Sequence, residues 1–421
     1  MGDNLHEYLN NLIEYHERLA ITDDHGTCSY QRLLEIIYLK QIRYSHNEIS
    51  TYMLTPEPSV DSITTILALV LCRKSLILCS KGDLKALSKN QGIHFSPVTA
   101  SSSENLFVVH GPFPDNKLFL LTSGTSGNKK LVQINFMNLI KNARDVLELY
   151  PLTSSNTVLS ILPLFHVFGL VGLLGVLTVG GHIIIGNRAT TKFLHHSECP
   201  YIVHSVPSVL TDILPLISKQ AVQQVLSAGA PLSCATAGKY QRLGIPVFEA
   251  YGLTEACGAV AIGPFRRMKV LPARDAFFCV NQIFVSGDLA DCYFGEEPFE
   301  ECFPTGDLGE ILPWDILSIT GRLKEIIVLP NGEKIHPTVL EDKLLVIPGI
   351  KEAEVFQYAD GTIVAEIYAV EAEQVIKEKV EKLNRDLPKF LQIRGYDIHR
   401  CPLEKTETGK LKRRQTLWKK I

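Results

Sequence analysis

The stretch Leu118-Phe-Leu-Leu-Thr-Ser-Gly-Thr-Ser-Gly-Asn-Lys-Lys130 carries the strongest signal in this chain. Its apolar start predicts a buried strand, and a loop rich in hydroxyls and glycine follows and ends in two lysines. Hydroxyls and backbone N–H groups on such a loop form a concave donor surface for phosphate oxygens. A lysine at its edge adds a point charge that suits a polyphosphate. The loop is not a Walker A motif, because no Gly-Lys-Ser/Thr stands at the required spacing.

Outward from this loop, apolar runs alternate with helical patterns as far as about residue 300. The predicted helices are Leu5–Leu19, Ser62–Cys72 and a buried apolar stretch, Val167–Gly180. The predicted strands are Ser75–Leu78, Leu118–Thr122, Val158–Ile161, His182–Ile185, Tyr201–His204, Gln224–Ser227 and Pro246–Phe248. This alternation predicts an α/β domain with largely parallel sheets.

The composition changes after Arg322, where the chain becomes richer in Lys and Glu and alternates quickly between helix and strand patterns. A chain of 421 residues is also too long for one ordinary core. We therefore predict a large α/β domain over residues 1–322 and a small α+β domain over residues 323–421, joined by a hinge.

Several classes of protein are disfavoured by composition. A formal charge of −3 gives no global support for a nucleic-acid partner. The apolar stretch Val167–Gly180 is too short to span a bilayer, and the N-terminus lacks the pattern of a secretory signal. The ten cysteines are scattered without zinc spacing, which predicts reduced thiols in a cytoplasmic protein.

The loop resembles the phosphate-binding signature of the adenylate-forming superfamily, the AMP-dependent synthetases and ligases. That superfamily includes acyl-CoA synthetases, aryl-CoA ligases and peptide-synthetase adenylation domains. The resemblance implies that Lys130 is the motif lysine, while Lys129 and Leu131 replace the usual proline and glycine. It implies phosphate donors at Thr122, Ser123, Gly124, Thr125, Ser126 and Gly127.

Two further segments resemble the same family. Leu162-Pro-Leu-Phe-His-Val-Phe-Gly-Leu170 matches the acid-pocket segment, which implies that His166 lies near the reacting carboxylate and phosphate. Without this context, His166 would be read as a core histidine. Ser227-Ala-Gly-Ala-Pro-Leu232 resembles the segment beside the nucleotide, with Gly229, Ala230 and Pro231 in contact with it.

Phe248-Glu-Ala-Tyr-Gly-Leu-Thr-Glu255 matches the next signature of the family. By this resemblance Tyr251 lies near the adenine, Thr254 contacts phosphate, and Glu255 helps to hold Mg²⁺, for which a carboxylate is a suitable ligand. Its other nucleotide-binding positions are Glu249, Ala250 and Gly252. The alternative is a strand-to-turn connection whose glycine merely permits the bend.

The remaining motifs follow in the family's order. Pro304-Thr-Gly-Asp307 implies that Asp307 binds the ribose hydroxyls, and Ile319-Thr-Gly-Arg-Leu-Lys-Glu-Ile-Ile-Val328 supplies Arg322 for the nucleotide and Lys324 for the hinge. Asn331-Gly-Glu-Lys-Ile-His-Pro337 resembles the loop, with Gly332, that serves the second half-reaction. In Lys405-Thr-Glu-Thr-Gly-Lys410, the final lysine would bridge the substrate carboxylate and the α-phosphate.

The resemblance implies ATP- and Mg²⁺-dependent activation of a carboxylic acid as an acyl-adenylate, with release of pyrophosphate. Transfer to a thiol follows, either that of coenzyme A or the phosphopantetheine of a carrier protein. The pocket segment Phe165-His-Val-Phe168 lacks the acid that would pair with an amino group, so we predict a fatty or aryl acid.

Two alternatives remain open: a degenerate, non-catalytic scaffold of the same fold, and a conventional P-loop kinase or ATPase. The segment between Glu255 and Asp307 is also shorter than is usual in the family.

Overall fold

Two mixed β-sheets and the helices packed between them make up most of the computed structural model. The structure describes residues 3–98, 105–122, 129–186, 200–217, 221–272, 274–279, 282–329, 332, 334–358, 360–405 and 411–413.

The helices of the described residues are α1 (Asp3–Asn11), α2 (Tyr30–Ser45), α3 (Val60–Leu71), α4 (Leu84–Gln91), α5 (Phe136–Leu149), α6 (Val167–Thr178), α7 (Pro207–Ile213), α8 (Cys234–Arg242), α9 (Pro337–Leu345) and α10 (Glu373–Asp386).

The strands as far as the middle of the chain are β1 (Leu19–Asp23), β2 (Gly26–Ser29), β3 (Thr51–Leu54), β4 (Ser75–Leu78), β5 (His94–Pro97), β6 (Leu106–His110), β7 (Leu118–Leu121), β8 (Leu131–Ile134), β9 (Thr157–Ser160), β10 (His182–Ile185), β11 (Tyr201–Ser205) and β12 (Val222–Ala228). The later strands are β13 (Val247–Leu253), β14 (Gly258–Pro264), β15 (Met268–Val270), β16 (Arg274–Cys279), β17 (Gln282–Gly287), β18 (Cys292–Tyr293), β19 (Cys302–Leu312), β20 (Ile316–Arg322), β21 (Ile327–Val328), β22 (Lys334–Ile335), β23 (Ile350–Gln357), β24 (Ile363–Ala369) and β25 (Gly395–His399).

The larger sheet has 13 strands in the order β16-β17-β19-β20-β15-β14-β13-β12-β11-β9-β10-β1-β2. Its strands from β13 to β1 are parallel, and they include the runs predicted from β9 to β13. The prediction of largely parallel sheets fails beyond β13, where every pair as far as β16 is antiparallel. It also fails for the smaller sheet, in which only β3, β4 and β7 pair in parallel. The short 3₁₀ turn Thr254–Ala256 joins β13 to β14, whereas a parallel crossover needs about a dozen residues or more.

The smaller sheet has seven strands in the order β18-β8-β7-β4-β3-β6-β5. The predicted phosphate loop connects β7 to β8 in an antiparallel hairpin, with Leu121 opposite Leu131. A continuous core fills the space between the two sheets and includes α6, whose apolar residues are buried as predicted. Among the described residues, no helix has the length and apolarity needed to cross a bilayer.

The N-terminal helix is shorter than predicted. The sequence pattern predicts a helix over Leu5–Leu19, but α1 is followed by the 3₁₀ turn Leu12–Tyr15, and Leu19 already begins β1. Pairing of β1 with β10, which sets Ile21 opposite Ile183, extends this part of the backbone. Tertiary pairing therefore overrides the local helical pattern.

A separate core lies in the C-terminal part of the chain. Its buried side chains all fall between Ile327 and Ile393. They come chiefly from α9, α10 and the three-stranded sheet β23-β24-β25. This separate core supports the domain boundary predicted after Arg322, which stays a prediction.

Candidate active site

The predicted motifs leave the carboxyl ends of neighbouring parallel strands. β9 ends at Ser160, opposite His204 of β11, and the acid-pocket segment follows it. β12 ends at Ala228, opposite Ala250 of β13, and its predicted nucleotide segment follows it. The predicted positions from Glu249 to Gly252 lie within the last part of β13, and Thr254 and Glu255 follow that strand. The carboxyl edge of an open α/β sheet is where such folds bind ligands, so the parallel strands position these segments on one edge.

Tyr251, Asp307 and Arg322 form a hydrogen-bonded cluster. The Tyr251 hydroxyl donates to Asp307 Oδ2 at 2.9 Å, and Arg322 Nε donates to Asp307 Oδ1 at 2.8 Å. The β19–β20 register sets Asp307 directly opposite Arg322. Burial raises the pKa of Tyr251, and Asp307 raises it further, so the hydroxyl stays a donor. Three residues predicted to hold the nucleoside are thus brought together.

Lys130, Tyr293 and Glu255 form a second cluster. Lys130 Nζ lies 4.1 Å from the centroid of the Tyr293 ring. The Tyr293 hydroxyl donates to Glu255 Oε1 at 2.8 Å. Lys130 Nζ also lies 2.9 and 3.0 Å from the two carboxylate oxygens of Glu296. The predicted phosphate lysine and the predicted metal ligand therefore contact the same tyrosine, one at its ring and the other at its hydroxyl.

The base of the phosphate loop is closed by two hydrogen bonds between Thr122 and Lys130. The Thr122 backbone N–H donates to the Lys130 carbonyl at 2.9 Å, and the Lys130 N–H donates to Thr122 Oγ1 at 3.0 Å. Lys129, which replaces the family's proline, forms an ion pair of 2.6 Å with Asp83. The predicted donors Ser123, Gly124, Thr125, Ser126 and Gly127 lie outside the described residues.

Glu249 braces the segment that contains Gly229, Ala230 and Pro231. Its Oε1 accepts the Leu232 N–H at 3.4 Å, and its Oε2 accepts the Arg266 N–H at 2.9 Å. Burial raises the pKa of Glu249. Because both oxygens accept backbone N–H groups, Glu249 fixes the loop after β12 as well as the turn after β14.

Gly252 is required by close packing and not by a bend. Its backbone lies in β13 without a positive φ angle. A Cβ atom at this position would stand 2.1 Å from the carbonyl oxygen of Gly258. The alternative interpretation, in which the glycine merely permits a turn, therefore has the wrong physical cause: a side chain would push β13 and β14 apart.

Thr254 and His166 each mark the start of a helical segment. Thr254 is buried and begins the 3₁₀ turn that ends at Ala256. His166 immediately precedes α6, and its ring centroid lies 4.7 Å from that of Phe165. Both residues follow the carboxyl ends of parallel strands, but their contacts with a substrate stay predictions.

Of the three residues predicted to act in domain movement, Lys324 and Gly332 are among the described residues. Lys324 is exposed in the 3₁₀ turn Leu323–Glu325, between β20 and β21. Gly332 is exposed with φ of +81°, a left-handed conformation that favours glycine. Lys410 lies outside the described residues.

Tyr293, Glu296 and Arg413 were missed by the sequence analysis. Tyr293 and Glu296 come from the shortened segment after Glu255, and the pairing of β18 with β8 brings them to Lys130. Arg413 pairs with both Glu341 and Glu325. An aromatic–acidic run beside a cysteine, Cys292-Tyr-Phe-Gly-Glu-Glu297, was the available signal, but it names no partner.

The donor set suits magnesium and a nucleotide. Glu255 is half-buried, and its carboxylate offers lone pairs beyond the one that accepts the Tyr293 hydroxyl. One carboxylate together with phosphate oxygens and water is the usual environment of Mg²⁺. The residues present therefore fit an ion held between the protein and a polyphosphate.

The family of the chain follows from a match to the family model described as AMP-binding enzyme. That model matches residues 53–292, which is more than half of the chain. The chain belongs to the AMP-binding enzyme family. The predicted superfamily is therefore confirmed.

Among relatives of this AMP-binding enzyme, the 2-succinylbenzoate–CoA ligase of Lactococcus lactis is 24% identical over 382 residues, which cover 84% of this chain and 80% of that protein. The long-chain-fatty-acid–CoA ligase FadD15 of Mycobacterium bovis is 35% identical over 144 residues, but these cover 31% of this chain and 24% of the ligase. The chain thus aligns with only about a quarter of the length of the mycobacterial relative.

The fold of this AMP-binding enzyme is also that of a solved ligase. The o-succinylbenzoate CoA synthetase of Bacillus subtilis, in complex with an acyl-adenylate intermediate, matches with a TM-score of 0.80 at 19% identity, over 96% of each chain. This likeness confirms the predicted fold class, a large multi-subdomain α/β architecture.

Proposed function

We propose that this AMP-binding enzyme activates a carboxylic acid with ATP and Mg²⁺, releases pyrophosphate, and transfers the acyl group from the adenylate to a thiol. The two clusters Tyr251–Asp307–Arg322 and Lys130–Tyr293–Glu255 carry this proposal. The first suits a nucleoside and the second suits a polyphosphate with its cation. Tyr251 and Glu255, four residues apart, join the two clusters.

The chemistry requires that negative charge be neutralised, because a carboxylate and ATP repel each other. Lys130 supplies a positive charge at the mouth of the phosphate loop, and Lys410 supplies another from the C-terminal segment. Magnesium, when bound at Glu255, draws charge from the leaving phosphate oxygens. Asp307 and Arg322 fix the ribose, so that the α-phosphorus meets the acid in one orientation.

The acid is a fatty or aryl carboxylic acid without an amino group. Amino-acid-activating relatives carry an acid in the pocket segment, and the corresponding stretch here, Phe165-His-Val-Phe168, has none. The rest of the segment is apolar, and Phe165, Val167 and Phe168 pack against the core. The segment Phe165-His-Val-Phe168 therefore offers no carboxylate to pair with an ammonium group.

The acceptor thiol is that of coenzyme A. The relatives with aligned sequences are named as CoA ligases. The phosphopantetheine of a carrier protein offers the same sulfur chemistry and is the alternative acceptor. The hinge at Lys324 and the loop at Gly332 would serve this second step by movement of residues 323–421. The boundary after Arg322 and a cytoplasmic location belong to the same proposal.

Exchange of labelled pyrophosphate into ATP tests the first half-reaction. The full chain is incubated with Mg-ATP and a panel of short- to long-chain fatty acids, aryl acids and amino acids. We expect exchange with one class of fatty or aryl acids and none with amino acids. Lys410→Ala should abolish the exchange, whereas Lys412→Ala, a matched change of charge two residues away, should retain it.

Release of AMP in the presence of coenzyme A or a phosphopantetheinylated carrier protein then distinguishes the acceptors. Binding of ATP without exchange for any acid would contradict the proposal and favour the non-catalytic scaffold. ADP as the product would favour a kinase or ATPase instead.

A further inference from the structure

Tyr293 lies between two residues that the proposed function needs, and the fold holds it there firmly. β18 pairs with β8, so Tyr293 stands opposite Val132, two residues after Lys130. Its ring packs edge-on against Phe299, with centroids 4.9 Å apart. The backbone pairing and the ring contact leave the side chain little freedom, so its two polar contacts are pre-set before any ligand binds.

We propose that Tyr293 is a positioning residue of the phosphate and metal site: its hydroxyl orients the Glu255 carboxylate and its ring holds the Lys130 ammonium. This assignment rests on the proposed function, and it adds a residue from the shortened segment to the site.

The hydroxyl acts on the carboxylate. Tyr293 donates to Glu255 Oε1 at 2.8 Å, which fixes the rotation of the carboxylate and directs its remaining lone pairs. Hydrogen bonds of this kind behind a metal ligand contribute roughly 10- to 100-fold to metal affinity.

The ring acts on the lysine. Lys130 Nζ lies 4.1 Å from the ring centroid, within the range of a cation–π contact. Among the residues that the structure describes, Lys130 also pairs with the exposed carboxylate of Glu296. Phosphate oxygens that enter the loop compete with Glu296 for the ammonium group, but they do not compete with the ring. The ring therefore keeps Lys130 in place in the free and the bound protein.

Two substitutions separate these roles. Tyr293→Phe keeps the ring and removes the hydroxyl, while Tyr293→Leu removes both. Calorimetric binding of ATP to the full chain is measured over a range of Mg²⁺ concentrations and again in EDTA. For Tyr293→Phe we expect a rise of roughly 10-fold or more in the Mg²⁺ concentration that gives half of the metal-dependent gain in ATP affinity. The affinity for ATP in EDTA should be unchanged.

For Tyr293→Leu we expect the same loss and, in addition, metal-free binding of ATP weaker by about two- to fivefold, in line with an exposed cation–π contact. Tyr358→Phe, a change of the same kind at a half-buried tyrosine of β23's end, is the matched control and should leave both quantities unchanged.

The outcomes distinguish this assignment from the proposed function. A parent protein that binds no ATP overturns the proposed function and the role of Tyr293 with it. A parent that binds Mg-ATP with the same Mg²⁺ dependence as Tyr293→Phe overturns the positioning role alone. Equal loss of metal-free binding in the Phe and Leu variants also overturns it, because the hydroxyl would then act on folding and not on the carboxylate.

Discussion

Arg413 donates two hydrogen bonds to the carboxylate of Glu341, one of 2.7 Å from Nη1 and one of 2.9 Å from Nη2. Its Nε lies 3.1 Å from Glu325, in the turn that contains Lys324. Burial disfavours the charge of Arg413, but Glu341 and Glu325 outweigh this effect and raise its pKa. One guanidinium therefore ties the end of the described chain to α9 and to the predicted hinge.

Arg413→Ala should destabilise the C-terminal core. The substitution leaves the Glu341 carboxylate, whose side chain is only 9% exposed, without its cation. Breaking a buried pair in this way costs about 3 kcal/mol or more. Urea unfolding and hydrogen exchange over α9 should both report the loss.

Lys412→Ala is the matched control for Arg413→Ala. Lys412 pairs with Glu404, whose side chain is 77% exposed, and exposed pairs contribute little to stability. Its unfolding midpoint should equal that of the parent. Equal midpoints for Arg413→Ala and the parent would contradict the structural role of Arg413.

Asp307→Asn should remove the protein's preference for ribose hydroxyls. The carboxylate that accepts from Tyr251 and Arg322 is only 7% exposed and is held in one orientation. A hydrogen bond to a charged group is worth about 1.5–3 kcal/mol. The affinity of the parent protein for ATP should therefore be at least about 10-fold higher than its affinity for 2′,3′-dideoxy-ATP. The variant should bind both alike. A parent that does not discriminate would remove Asp307 from the ribose site.

Glu296→Gln should strengthen ATP binding. Glu296 forms an ion pair with Lys130 in this structure, and this pair must break before the lysine can bind phosphate. An exposed ion pair of this kind is worth up to about 1 kcal/mol, or roughly fivefold in ATP affinity. Glu297→Gln changes the same charge one residue away and controls for the general electrostatic effect. The difference between the two variants should fade at high salt. Identical affinities for both variants would argue against competition for Lys130.

His204 should make the free energy of unfolding decrease as the pH falls below 6.5. It is 2% exposed, and burial lowers its pKa from 6.5 to about 3. Above pH 6.5 both the folded and unfolded forms are neutral, so this contribution is complete. Below pH 6.5 the unfolded chain takes up a proton first, and the contribution falls by up to about 1.4 kcal/mol per pH unit until about pH 3.

Urea unfolding between pH 7.5 and 4.5 tests this dependence. His204→Gln should lose less stability on acidification than the parent, whereas His94→Gln, at an exposed position, should follow the parent. Parallel pH profiles for the parent and His204→Gln would rule out the buried imidazole as a source of acid sensitivity.

The parallel half of the large sheet could be predicted because its strands are apolar runs between glycines and prolines. In this sheet β10 has the predicted limits and β11 differs by one residue, and β4 of the smaller sheet also has its predicted limits. The antiparallel half could not be predicted, since a strand as short as β15 depends on pairing with β20, where Met268 stands opposite the distant Leu317. The same reason explains why Leu19 lies in a strand.

The family motifs predicted which residues would meet, and the fold brings together Tyr251 with Asp307 and Lys130 with the neighbourhood of Glu255. The intermediaries could not be predicted. Tyr293 lies 38 residues from Glu255 in sequence, and Arg413 lies 72 from Glu341. No local pattern encodes such a pairing, because the partners are chosen by the packing of whole strands and helices.

The separate core between Ile327 and Ile393 makes the C-terminal unit a candidate for transplantation. Two neighbouring acids of α9 face different partners: Glu341 binds Arg413 within the unit, and Asp342 lies 2.9 Å from Arg266 of the larger part. A chimera that carries this unit on another ligase would keep the first pair automatically. The second ion pair would form only if the recipient has an arginine at the position that corresponds to Arg266. Compatibility between donor and recipient can therefore be screened at that position.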